Sequence, residues 1–188
     1  MRYADGPGTV CEIFVQAPVE RVWELVTDIE LPTRLSPELQ RVAWLDGADG
    51  PALGARFEGH NRREGLPDWR TVSEVTEVTV VTEPAGSADP TRPRAFAWAV
   101  MDADGRYGEP VSETAGALAR WRFDLTPEDG GTRLRQSVVI GPGRSAMSPI
   151  IDAKPEIEEK VIDLRLGELH RAMTATLEGV KSLAEQGE

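Results

Sequence analysis

Few side chains in this sequence have types and positions suited to chemistry. The clearest is His170, which lies in a run of helical spacing, one turn from Leu166 and Met173. An imidazole there can point into the mouth of an interior space and act as acid or base near neutral pH. The alternative is a histidine at the packed edge of the helix, hydrogen-bonded to backbone. His60 shares strand parity with Arg56 and Glu58 and is expected at the surface. Two histidines and one cysteine, Cys11, exclude a cysteine-based zinc site and a multi-histidine metal site. Asn61, Thr71, Ser73 and Gln136 have the same strand parity as aromatic and aliphatic residues. A buried polar group without a partner costs about 1–3 kcal/mol. Each of these four therefore needs a neighbouring side chain, an ordered water, or a carbonyl or hydroxyl of a bound molecule. The candidate catalytic groups are His170 and Asn61. No Ser-His-Asp set, phosphate loop or dinucleotide motif occurs, and no cofactor or metal is expected.

These side chains are positioned by elements that the hydrophobic periodicity predicts. Thr9–Val15 alternates, with Cys11, Ile13 and Val15 on one face. Val19, Val22, Trp23 and Val26 then follow helical spacing, with Pro18 suited to the first helical position and Pro32 ending the helix. A second short helix is expected over Thr33–Leu35. Alternation returns at Val42 and Trp44, at Phe57, Gly59 and Asn61, and from Trp69 to about Thr82. Further strands are predicted over Arg94–Met101, around Ala119–Leu125, and over Leu134–Ile140 after the turn at Gly130-Gly131. From Pro155 to about Leu183, Ile162, Leu166, Leu169, Met173, Leu177, Val180 and Ala184 recur every three or four residues, the stripe of a long amphipathic helix. The order implies an α+β fold: an antiparallel sheet of about seven strands, curled around one long C-terminal helix, with two short helices after the first strand. The segments 84–93, 102–116 and 141–154 read as long loops that can serve as lids.

The chain has 188 residues, which fits a single domain (residues 1–188, core about 9–184). The net charge of −11, with basic residues scattered among acids, argues against a nucleic-acid or membrane-surface partner. No apolar run is long enough for a membrane span, the N-terminus lacks the apolar core of a signal peptide, and a cytoplasmic location is expected. The oligomeric state, monomer or homodimer, is left open.

Seven pieces in order resemble the START-like helix-grip superfamily, and its bacterial SRPBCC, polyketide cyclase/dehydrase-type branch in particular. They are Ala17–Trp23, Leu35–Leu39, Gly54–Arg62, Trp69–Thr71, Ala119–Phe123, Gly130–Leu134 and Met173–Leu177. The resemblance implies a cavity for an apolar or aromatic small molecule between the sheet and the long helix. Strand and helix parity then nominate its lining: Phe57, Trp69, Thr71, Phe96, Trp98, Trp121, Phe123, Gln136, Leu166, Met173 and Leu177. The same positions also serve as ordinary core. The resemblance admits three roles: a cyclase or dehydrase, a non-catalytic carrier, or an interaction module of the chaperone-cofactor kind. Cyclisation of a polyketide passes through enolates, which an inward cation would stabilise. Arg70, Arg120 and Arg122 have outward parity, Arg165 flanks the helix stripe, and Arg63 has inward parity at a strand end.

Overall fold

The computed structural model describes residues 1–36, 38–62, 64–65, 67–79 and 92–186. The loop expected over 84–93, the end of the long strand beyond 79 and the placement of Arg63 fall wholly or mainly outside these residues.

Seven strands form one antiparallel sheet in the order β1-β7-β6-β5-β4-β3-β2. They are β1 (Gly8–Val15), β2 (Leu39–Trp44), β3 (Arg56–Asn61), β4 (Trp69–Thr79), β5 (Arg94–Met101), β6 (Ala119–Glu128) and β7 (Gly131–Ile140). Strands β2 to β7 each pair with the next in sequence, and β1 returns to pair with β7. Among the described residues four α-helices accompany them: α1 (Val19–Thr27), α2 (Leu31–Leu35), α3 (Ser148–Ala153) and α4 (Glu158–Glu185). Among the described residues no helix is long and apolar enough to cross a membrane.

Register turns the alternation into rows across the inner face. One row joins Val78, Phe96, Phe123, Gln136 and Cys11. The next joins Val75, Trp98, Trp121, Val138 and Thr9. A third joins Trp44, Phe57, Ser73, Val100, Ala119 and Ile140. A register shift between Val75 and Glu77 changes the parity of β4, so Val78 joins Phe96 inside while Glu77 joins Arg122 outside.

The predicted helix stripe is the buried one: Ile162, Leu169, Met173, Leu177, Val180 and Ala184 are covered, and Leu166 is partly exposed. Helix α4 packs chiefly along β1 and also touches α1, α2 and β7. At α2 the approach is close, because a Cβ on Gly179 would lie 2.6 Å from Leu35 Cδ2.

Three local expectations are corrected. Pro18 is the N-cap of α1, with extended backbone, and does not occupy its first turn. Helix α1 ends at Thr27, and Pro32 sits in the first turn of α2, where its missing N–H is not needed. The segment 141–154 contains α3, also opened by a proline, Pro149; Met147 and Ile151 pack into the main core. The segment 102–116 folds over the outer face. There Val72, Ala99, Met101 and Ala117 form a second apolar cluster with Leu45, Ala103 and Val111. The Asp102 carboxylate secures this turn by accepting from the backbone N–H groups of Arg106 (2.9 Å) and Tyr107 (2.7 Å). The segment is thus held on the side of the sheet away from α4.

Candidate functional site

Strand alternation aims eight of the nominated aromatic and polar side chains at the concave face, and register brings most of them together. Trp98 and Trp121 are direct cross-strand neighbours and stack with ring planes 9° apart and centroids 6.2 Å apart. Trp98 also meets Phe96 at 5.3 Å and Phe123 at 5.8 Å. Phe96 and Phe123 are sealed, whereas Trp98 and Trp121 remain partly exposed. Val100, Leu166 and Val161 are partly exposed as well. Trp98, Trp121, Val161 and Leu166 all pack against the main core while keeping part of their surface uncovered. Met173 and Leu177 are 1% and 2% exposed and serve as packed core. Phe57 is buried edge-on against Trp44 at 5.5 Å. Thr71 lies beside Gly59, where a Cβ would come 3.3 Å from Thr71 Oγ1 and 3.0 Å from Leu39 Cδ1.

Gln136 is buried in the row beneath the two tryptophans, between Phe123 and Cys11. Its Oε1 has no hydrogen-bond partner among the described residues.

The two candidate catalytic groups do not meet. His170 follows the buried Leu169 by 100° of helix rotation, which carries it out of the stripe and onto the exposed seam with β1. Its Nδ1 lies 3.1 Å from Thr9 Oγ1 and 3.3 Å from Cys11 Sγ. Asn61 ends β3, and its amide donates to the Gly59 carbonyl at 3.4 Å. Five strand steps separate β1 from β3, roughly 24 Å along the sheet. His170 thus stands at the exposed edge of α4, with its ring against the side chains of Thr9 and the buried Cys11.

Trp69 also departs from expectation. It shares inward parity with Thr71, yet it sits at the end of the sheet, where the Arg106 guanidinium from segment 102–116 lies 5.3 Å from its ring. Both residues line a cleft of about 510 Å³ at this end of the sheet, together with Asn61, Arg41, His60 and Arg70. His60 is on the outer face as expected, 2.9 Å from Glu58 Oε1. Hydrogen bonds from His60 and Arg70 hold the Glu58 carboxyl below its ordinary range. Arg70 also reaches Asp104 at 2.6 Å, and Arg122 binds Glu77 and Asp124, so both point outward as their parity predicts.

One inward cation escaped the sequence reading. Arg94 has the parity of Phe96 and is 4% exposed; it donates to Glu20 Oε1 of α1 at 2.6 Å and lies 6.0 Å from the Trp23 ring. The signal was available in the alternation, two residues before Phe96, but its partner is 74 residues away in sequence.

A family model described as "Polyketide cyclase / dehydrase and lipid transport" matches residues 10–185. Among solved structures, the chain is similar to a polyketide-cyclase-like protein of Corynebacterium glutamicum, at 25% identity and a TM-score of 0.53, covering 94% of this chain and 88% of that one. It is also similar to the Zhui aromatase/cyclase of a Streptomyces species, at 16% identity and a TM-score of 0.58, covering 96% and 94%. The di-domain aromatase/cyclase BexL aligns at 15% identity and a TM-score of 0.60, covering 95% of this chain and 50% of that one. A search of curated protein sequences returned no significant match.

Proposed function

This chain belongs to the polyketide cyclase / dehydrase and lipid transport family, and we propose that it binds an apolar, aromatic small molecule on the concave face at Trp98 and Trp121. The observation that carries this reading is the stacked, partly exposed tryptophan pair beside rings that are fully sealed. Exposed indoles on a concave apolar wall supply large contact area at little entropic cost, and a flat ring can extend the stack. The names of the aromatase/cyclase neighbours agree with an aromatic occupant.

Binding without acid–base catalysis is the reading the geometry favours. His170 stands against β1 and Asn61 at the end of β3, five strand steps away. The buried Arg94, which could otherwise steady an enolate, is paired with Glu20 beneath α1. The concave face thus offers shape and apolar area, the requirements of a carrier.

The test is a titration with 2-methoxynaphthalene, followed by tryptophan quenching and calorimetry. Wild-type protein is expected to bind saturably. Trp98→Ala removes one face of the stack and should weaken binding at least tenfold, about 1.4 kcal/mol, while Trp69→Ala leaves it unchanged. No saturable binding, or wild-type affinity retained in both Trp98→Ala and Trp121→Ala, would refute the assignment.

A further inference from the structure

We infer that Gln136 selects among the occupants of this face, favouring aromatic molecules that carry a hydroxyl or N–H group. The inference rests on the binding reading above and adds the chemical class of the occupant and the residue that discriminates it.

Gln136 is 5% exposed and lies on the inner face of β7. Its cross-strand neighbours are Phe123 on one side and Cys11 on the other. Phe123 has no polar atom in its side chain. The Cys11 thiol is engaged elsewhere, within 3.4 Å of the His170 carbonyl oxygen and 3.5 Å of Thr174 Oγ1. Gln136 Oε1 is therefore a buried acceptor that no described residue satisfies. Such atoms are rare, because an unmade hydrogen bond in an apolar setting retains the full desolvation penalty.

The chemistry of the missing partner follows from the atom. An amide oxygen only accepts, so the partner must donate. A ketone, ether or ester oxygen cannot fill the role; a phenolic hydroxyl or a ring N–H can. The position of the partner follows from register. Trp121 is two residues from Phe123 along β6, which makes Gln136 its diagonal neighbour. Diagonal neighbours stand about 7–8 Å apart at the backbone, within reach of long side chains. Gln136 Oε1 is itself covered in this structure, so a ring lying on the Trp98–Trp121 stack engages it through a turn of the Gln136 amide toward that ring. The nearby inward polar groups are Thr9, which meets His170 Nδ1, Ser73, one row along, and Arg94, which is paired with Glu20. Of these, Gln136 is the one with an acceptor atom that no described residue satisfies.

The rule that discriminates is asymmetric. A site built to receive a donor rejects the analogue lacking it, because its own acceptor is then left unpaired. The experiment compares 2-naphthol with 2-methoxynaphthalene, which differ by replacement of the O–H hydrogen with methyl. Affinities are measured by calorimetry on wild-type protein and on Gln136→Leu, with Gln136→Met as a second apolar variant. Wild-type protein should bind 2-naphthol at least tenfold more tightly than the ether. Both variants should bring the ratio near one by weakening the naphthol alone. Their thermal midpoints should stay level or rise, because an unpaired amide is exchanged for apolar packing. A wild-type ratio below about twofold, or a ratio unchanged by both variants, would overturn the assignment, and the first outcome needs no variant to fold. Binding of both probes without preference defeats this inference and leaves the aromatic site standing. Binding of neither defeats both.

Discussion

Arg94 provides a test of how the interior tolerates charge. Its side chain is 4% exposed, that of its partner Glu20 is 45% exposed, and their contact is 2.6 Å. Arg94 Nε is buried with no partner among the described residues. The two halves of this pair should therefore respond unequally. Glu20→Gln leaves a buried guanidinium facing a neutral amide. Breaking a fully buried pair from one side costs about 3–5 kcal/mol; since Glu20 is half in water, about 2–3 kcal/mol is expected here. For a chain of this size that lowers the thermal midpoint by about 4–12 °C. Arg94→Met instead removes the buried charge and keeps the apolar stem, while Glu20 recovers its hydration. Its cost should be under about 1 kcal/mol, since apolar replacement of buried ions is often neutral or better. The double variant should resemble Arg94→Met alone, which a double-mutant cycle reads directly. The assay is urea unfolding followed by tryptophan fluorescence, with Trp23 as a reporter 6.0 Å from the guanidinium. The reasoning fails if Arg94→Met destabilises more than Glu20→Gln, or if Glu20→Gln costs under about 0.5 kcal/mol.

Two further outcomes can be checked on the same melts. A Cβ at Gly143 would overlap the backbone oxygen of Gly116, so Gly143→Ala should lose about 1–3 kcal/mol. At Gly167 in α4 the nearest atom is the flexible Arg171 guanidinium at 3.6 Å, so Gly167→Ala should gain close to 1 kcal/mol of helix propensity. Stability should also fall in acid. Hydrogen bonds from Arg122 hold Glu77 below its ordinary value of 4.5, and those from Arg70 hold Asp104 below 3.8. The native state then binds fewer protons than the unfolded chain. The stabilisation is complete above those ordinary values and is lost as pH falls through the lower native ones. Arg122→Gln should flatten the decline of unfolding free energy between pH 5 and about pH 3; an unchanged slope would remove Glu77 from the account.

Local chemistry determined much of this protein. Period-two alternation assigned Phe96, Trp98, Trp121, Phe123 and Gln136 to one face before any fold was known. Spacing by three and four identified the stripe from Ile162 to Ala184 that α4 buries. Both signals survive because a side chain's direction depends on its own backbone geometry, which a few neighbouring residues settle. Tertiary structure decided what those faces meet. The shift between Val75 and Glu77 exchanged the faces of β4, and no residue type announces it. One step of helix rotation past Leu169 set His170 at the exposed edge of α4, against Thr9 and Cys11. The loop after β5 reached the outer face and placed Arg106 over Trp69. Arg94 is an arginine in a buried position because Glu20 of α1 arrives beside it, a meeting that only the folded chain arranges. Gln136 belongs to both accounts. Alternation pointed it inward, but its lack of a partner became visible only when the strands on either side were in register, because satisfaction of a buried polar atom depends on everything around it.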